Sequence, residues 1–383
     1  MIFGPGDVLD LVRDGRATTR GEIAQITGLS RVTVAQRVDA LLEARLVEGI
    51  GTGDATGGRR PVRLAFNADA GRTGVAVVET AHAEVAVTDL AGTIRGRELL
   101  DVDVADGPEV TLRRVSVALA ALLGRDADRP LLGVGVSLPS PIDPCSSRPS
   151  EPPILPGWDA FPVAGHVAEQ LGRPEVPVVV RNDADVMAYG EFSRLAERPR
   201  SLFLLKVSTG IGAGMVFDGR IFQGDDGAAG DIGHVRVPQA EGVRCQCGAT
   251  GCLAAVASGR AVARQLRDRG HAVHSGRDVQ ALLAQGDPDA VRLTREAGRT
   301  IGGVVATAIT LVNPGLLLLS GDLASPALLS GVRESLYPAT LPRATRHLGV
   351  HLGHLGGDGS LVGIAGQVVQ QELSPQSVNE RLA

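Results

Sequence analysis

At the amino end the apolar positions recur at helical spacing. Over residues 7–13, Val8, Leu9 and Val12 fall on one face, which predicts a first helix. Thr19 and Glu22 are spaced as an N-terminal cap and its reciprocal partner, with Ile23 and Ile26 behind them, and predict a second. Gly28 permits a sharp turn, and Ser30 can cap a third helix, RVTVAQRVDALLEA. In that helix Val34, Val38, Leu41 and Leu42 share a face, while Arg31, Thr33, Gln36 and Arg37 fall on the other. Leu46-Val47-Glu48 and residues 62–66 then read as two short strands around the Gly-rich tip GTGDATGGRRP. Helices followed by a basic hairpin give the order of a winged helix-turn-helix over residues 1–66, whose third helix enters a major groove. Arg31, Gln36 and Arg37 suit base edges, Ser30 and Thr33 suit phosphates, and Arg59 and Arg60 of the wing suit a minor groove or phosphates.

From residue 73 the pattern changes. TGVAVVET and AEVAVTDLAG predict a strand hairpin, and a long helix follows over about 108–123. LLGVGVSLP and VPVVVRNDAD read as buried strands, the second with a polar exit. Residues 201–222 read as strand, Gly loop, strand; helices fill most of 253–312; LLLLSGD is a strand and 361–372 a final helix. Strands alternating with helices predict a layered α/β fold over 67–383. The glycine turn at 208–214 could present backbone N–H groups to a phosphate or simply be a tight turn.

Composition adds bounds. Apolar residues at 44% and charged residues at 21% are ordinary for a globular chain of 383 residues, which excludes wholesale disorder. No apolar run reaches the ~18 residues of a membrane span, since the stretch from Val304 to Ser320 is broken by Thr307, Thr310 and Asn313-Pro314. A cytoplasmic protein is the default expectation. The overall charge of −5 divides into +1 over residues 1–66 and −6 over the rest. Lys206 is the only lysine.

Three of the four cysteines lie within eight residues, Cys245, Cys247 and Cys252, shortly after His234. One imidazole and three thiols fit a closed tetrahedral Cys3His zinc site, and the intervening glycines let the chain curl around an ion. With four protein ligands no position is open for a reactive water, so the expected role is structural. Cys145, in a Pro/Ser-rich loop, receives no role.

Together these motifs resemble the ROK family of repressors and sugar kinases. The resemblance rests on the run from Val207 through Gly210-Ile211-Gly212-Ala213-Gly214, Gly224, Gly230 and Gly233-His234, and on Cys-x-Cys-Gly-x-x-Gly-Cys. Gly157-Trp158, Asn182-Asp183 and Asn313-Pro314 also match. It covers about residues 70–380 and implies a two-lobed, actin-like sugar-kinase fold with a ligand cleft. The smaller lobe is expected at about 67–182 plus a C-terminal helix at about 361–374, and the larger at about 183–360. The amino-terminal winged helix resembles the repressor branch. By the same resemblance Asp183 matches the kinase base, and Asn182 and His234 match sugar-hydroxyl contacts. A carboxylate beside an amide can read vicinal hydroxyls.

The departures from the kinase pattern weigh as much. The Asp-x-Gly-x-Thr phosphate loop reads Val77, Glu79 and Ala81 at its key positions. A carboxylate there repels a triphosphate, and Val77 cannot help hold Mg²⁺. Asp231 replaces the Glu of the kinase Glu-x-Gly-His motif, Ala254 replaces a second sugar-contacting Glu, Ser140 replaces a loop glycine, and Ser320-Gly321 stands for a Gly-Gly pair. The expected function is a DNA-binding regulator, most simply a repressor, that binds operator DNA as a homodimer or homotetramer. Its second domain would sense a sugar or sugar derivative through Asn182, Asp183, Asp231, His234 and Ser140. Asp183 is then a vestigial base, with no catalytic residue. The alternatives are a sugar kinase with an appended DNA-binding module, and a repressor that binds no ligand.

Overall fold

A computed structural model describes residues 3–52, 62–152 and 155–382. Helices α1 (Pro5–Arg13), α2 (Arg20–Thr27) and α3 (Arg31–Glu43) precede an antiparallel pair, β1 (Val47–Thr52) and β2 (Val62–Phe66). The local signals act as the sequence implies. Thr19 and Glu22 form a reciprocal capping box on α2, and the Ser30 hydroxyl accepts the N–H of Thr33 to cap α3. Gly28 ends α2 at φ +70°, a left-handed conformation that costs glycine nothing. Val34, Val38 and Leu41 are buried against Val8, Leu9, Leu11 and Ile23. Arg59 and Arg60 lie outside the described residues.

The next sheet has the order β5-β4-β3-β6-β7, from β3 (Arg72–Val78), β4 (Ala83–Asp89), β5 (Ile94–Leu100), β6 (Leu131–Leu138) and β7 (Val178–Asn182). Helices α4 (Pro108–Arg125) and α5 (Val163–Gln170) cover one face, with a core that includes Trp158 and Leu119. The chain leaves β7 directly into α6 (Asp183–Ser193).

A second sheet has the order β10-β9-β8-β11-β12: β8 (Ser201–Val207), β9 (Ile211–Phe217), β10 (Arg220–Ile221), β11 (Leu316–Ser320) and β12 (Gly349–Leu352). Its helices are α7 (Ala254–Ala257), α8 (Gly259–Arg267), α9 (Gly276–Ala284), α10 (Pro288–Val312), α11 (Pro326–Leu336) and α12 (Pro342–Thr345). The chain then returns through α13 (Asp358–Glu372) to the first sheet and ends its described course in α14 (Pro375–Arg381).

Helices α6 and α13 cross between the two sheets, α6 packing on β8 and β9 and α13 on β3 and β6. Their backbones nearly touch. A Cβ at Gly363 would overlap the Val186 carbonyl, and one at Gly190 would overlap that of Gly359, so only glycine permits this crossing.

The helix predicted at about 361–374 is present as α13 but is not the last one. α13 ends at Glu372, and Ser374 caps the additional α14. That short helix lies on α1: the Asn379 side chain accepts the N–H of Gly6 at 2.8 Å, and Val378 and Leu373 are fully buried among Val8, Leu9 and Val12. The core of the winged helix thus includes residues from near the other end of the chain.

Candidate functional site

The cleft between the sheets has a volume of about 600 Å³. Its floor is the β7–α6 junction, facing the β8–β9 turn and the turn between β3 and β4. Asn182 sits where strand becomes helix. Its Oδ1 caps α6 by accepting the N–H groups of Ala184 (2.9 Å) and Asp185 (3.2 Å), and its Nδ2 donates to the Ser140 carbonyl at 3.0 Å. Ser140 is buried, and its hydroxyl donates to the Pro141 carbonyl. The polar exit of the strand is therefore a helix cap as well as part of the cleft.

Asp183 is held more tightly still. Its Oδ1 accepts the Ala184 N–H, and its Oδ2 accepts from Lys206 Nζ at 2.6 Å. The same ammonium donates to Glu79 Oε1 at 2.5 Å. Side chains of Lys206, Asp183 and Glu79 are 6%, 14% and 21% exposed. Burial alone would lower the Lys206 pKa, but Asp183 and Glu79 together hold it above the ordinary lysine value. Burial pushes Asp183 up, with Glu79 adding to this and Lys206 opposing it. One protonated lysine from the second sheet thus serves two carboxylates that follow strands of the first.

Nothing in the local sequence marked Lys206, which sits in an apolar strand; its partners are 127 and 23 residues away. Beside it, Thr80 and Thr209 hydroxyls meet across the cleft at 3.4 Å. His82 stands between strands β3 and β4, where burial, Arg277 and Lys206 push its pKa down to about 4. Glu79 and Thr80 line this end of the cleft, Val77 is buried in β3 and Ala81 is exposed.

On the opposite wall, His234, Cys245, Cys247 and Cys252 converge, with their ligand atoms all within 4.8 Å of one another. The two sulfurs of Cys247 and Cys252 are 3.7 Å apart, and Cys245 Sγ lies 3.8 Å from His234 Nδ1. Tetrahedral zinc with ~2.3 Å Zn–S bonds requires sulfur separations of ~3.8 Å, so the donor set fits a metal ion. Arg236 donates to Cys252 Sγ at 3.2 Å, and isolated bridges at Arg236–Cys252 and Arg244–Thr250 shape the hairpin. Asp231 also lines the cleft; burial raises its pKa and His234 opposes the shift.

On α3, Arg31 and Gln36 are exposed, Thr33 and Arg37 half-buried, and Ser30 exposed at the cap. The Ser30 and Thr33 hydroxyls also contact each other at 2.9 Å. Arg20 pairs with Asp39 at 2.6 Å and ties α2 to α3.

Two α/β lobes with crossed helices between them, a cleft lined by both lobes and a metal-type Cys3His loop define the sugar-kinase class of fold, here carrying an amino-terminal winged helix. The chain belongs to the ROK family: the family's model matches residues 74–371. A xylose repressor of Bacillus spizizenii is 27% identical over 363 residues, covering 93% of this chain and 92% of that protein. The crystal structure of a ROK family transcriptional regulator, a homolog of the E. coli MLC protein, superposes with a TM-score of 0.80 at 23% identity, over 99% of this chain and 98% of that one. A ROK family glucokinase from Streptomyces griseus, in complex with glucose and AMPPNP, gives a TM-score of 0.68 at 25% identity. It covers 79% of this chain and 100% of its own. Among the described residues no helix is long and apolar enough to cross a membrane.

Proposed function

We propose that this protein is a sequence-specific transcriptional repressor whose ROK domain binds a sugar or sugar derivative and transfers no phosphoryl group. The observation that carries the reading is the Lys206 ammonium, engaged by Glu79 and Asp183. Phosphoryl transfer needs positioned phosphates, a metal and an available base. Here the position of the base is bound to an internal cation, and Glu79 presents a carboxylate where phosphate would approach. Asp231, His234 and the free edges of Asn182, Asp183 and Ser140 are among the cleft side chains that remain for a ligand.

The Cys3His group binds a structural zinc ion. Zinc holds the 234–252 loop closed and brings His234 to the cleft edge, supplying folding energy rather than chemistry. Arg31, Gln36 and Arg37 read base edges, Ser30 and Thr33 contact phosphate, and Arg59 and Arg60 enter a minor groove or neutralise phosphates. The protein acts as a two-fold homodimer or homotetramer, matching paired half-sites.

Coupling runs through contiguous elements. Asn182 and Asp183 begin α6, α6 crosses α13, and α13 leads into α14, which packs on α1. A ligand that binds one lobe arrangement better than the other shifts the placement of the winged helix by that difference in affinity. A second reading, a repressor blind to sugars, draws on the internal hydrogen bonds of Asn182, Asp183 and Ser140. Operator gel shifts with a panel of monosaccharides, amino sugars and their derivatives test the proposal, alongside thermal shifts with Mg-ATP. An effector that releases DNA, with no ATP stabilisation, is expected; ATP stabilisation with sugar phosphorylation refutes it.

A further inference from the structure

One wall of the cleft carries a guanidinium without an acidic partner. Arg260 follows the cap of α8 and lines the cleft beside Ala254, Ser258 and Cys245. It is half-buried, and burial lowers its pKa while the Cys245 thiol is the one group opposing that shift. Among the described residues no carboxylate lies within ion-pair reach of it. Of the other cations of the cleft, Lys206 is engaged by two carboxylates and Arg264 by the Ala255 carbonyl at 2.9 Å, while Arg244 is exposed, unlike the half-buried Arg260.

A guanidinium near a thiolate cluster could serve only as its counter-charge. Three thiolates and an imidazole around a divalent ion leave one negative charge. Arg236, 3.2 Å from Cys252 Sγ within the same hairpin, already meets it. Arg260 is therefore in excess of what the metal group needs. Two further features of the wall favour an anion. Ser258 caps α8, whose N-terminal dipole faces the same side, and the small Ala254 leaves room.

We propose that Arg260 marks an anion subsite, and that the effector is an anionic sugar derivative bearing a carboxylate or a phosphate rather than a neutral sugar. This rests on the cleft being the effector site. The hydroxyls of the ligand face Asp231 and the Asn182–Asp183 floor, and its anionic group takes charge-assisted hydrogen bonds from Arg260.

The test is calorimetric titration of full-length, metal-loaded protein with glucose, glucuronate and glucose 6-phosphate, with xylose and xylonate, and with inorganic phosphate alone. At least one anionic sugar should bind roughly tenfold or more tightly than its neutral parent, with an affinity that falls as salt rises. Arg260→Met should abolish that preference while metal content stays unchanged. A carboxylate-only preference identifies a sugar acid, and a phosphate-only preference a sugar phosphate. Neutral sugars binding as tightly as their anionic partners would overturn the subsite and leave the sensor reading standing. Arg260-dependent binding of inorganic phosphate with no response to any sugar would keep the subsite and remove sugar sensing. Loss of metal in Arg260→Met would overturn the proposal by assigning Arg260 to the metal group, and binding of no probe at all would overturn both readings.

Discussion

The carboxylate of Glu79 and the ammonium of Lys206 meet at 2.5 Å across the cleft, one from the turn after β3 and the other from β8 of the opposite sheet. With Asp183 on its other side, Lys206 is, among the described residues, the only cation bonded to either acid. Removing it strands two largely buried carboxylates. Lys206→Met is expected to cost about 3–5 kcal/mol in urea unfolding. Glu79→Gln combined with Lys206→Met should recover part of that loss, because fewer charges are left unpaired. Additive losses in the double variant would show that the pair is not energetically coupled.

Cys247→Ser should drop the metal content from about one ion per chain to near zero and destabilise the second lobe by on the order of several kcal/mol. Elemental analysis and thermal unfolding check both. Retained metal with full stability would show that the four donors do not act together.

Gln36 is exposed on α3, so Gln36→Ala should leave unfolding unchanged while weakening operator binding by about 1–3 kcal/mol if the amide reads a base. The loss should concentrate on one base pair of the operator. Equal loss across all operator variants would place the side chain on phosphate instead.

His82 supplies a pH dependence. Its folded pKa is depressed to about 4 from an unfolded value near 6.5, so its stabilising share is present above pH 6.5 and lost as pH falls towards 4. Between pH 7.5 and 5 the parent should lose about 1–2 kcal/mol more than His82→Asn, a range reduced for partial solvent screening. Identical pH profiles in urea unfolding would show that His82 titrates as it does in the unfolded chain.

Legibility followed the range of the interactions. The winged helix was readable because each short helix carries its own cap and its own apolar face, as Thr19, Ser30 and the Val34–Val38–Leu41 stripe show. The metal donors were readable because most lie in one short loop. Lys206 was not, since an isolated lysine in an apolar strand says nothing about distant carboxylates. Helix α6 was hidden for a different reason. From Ala184 to Phe192 nearly every residue is buried, so no polar face marks a helical period. Helix α14 is polar except at Val378, and its role emerges only from its contact with α1.

That contact gives a further expectation. Leu373 is fully buried, so Leu373→Ala should cost about 2–5 kcal/mol. The loss should appear in unfolding of the winged helix and in operator binding, while metal content is retained. Loss of metal before loss of operator binding would show that the damage lies in the second lobe.

The same contact sets an order of events during synthesis. Val8, Leu9 and Leu64 leave the ribosome long before Val369, Leu373 and Val378, which complete their core. At roughly 5–20 residues per second, the interval between Leu64 and Val369 is on the order of 15–60 s. A nascent chain stopped short of Val369 carries a DNA-reading segment with an open apolar face. The winged helix therefore completes its buried core only after both lobes have been made.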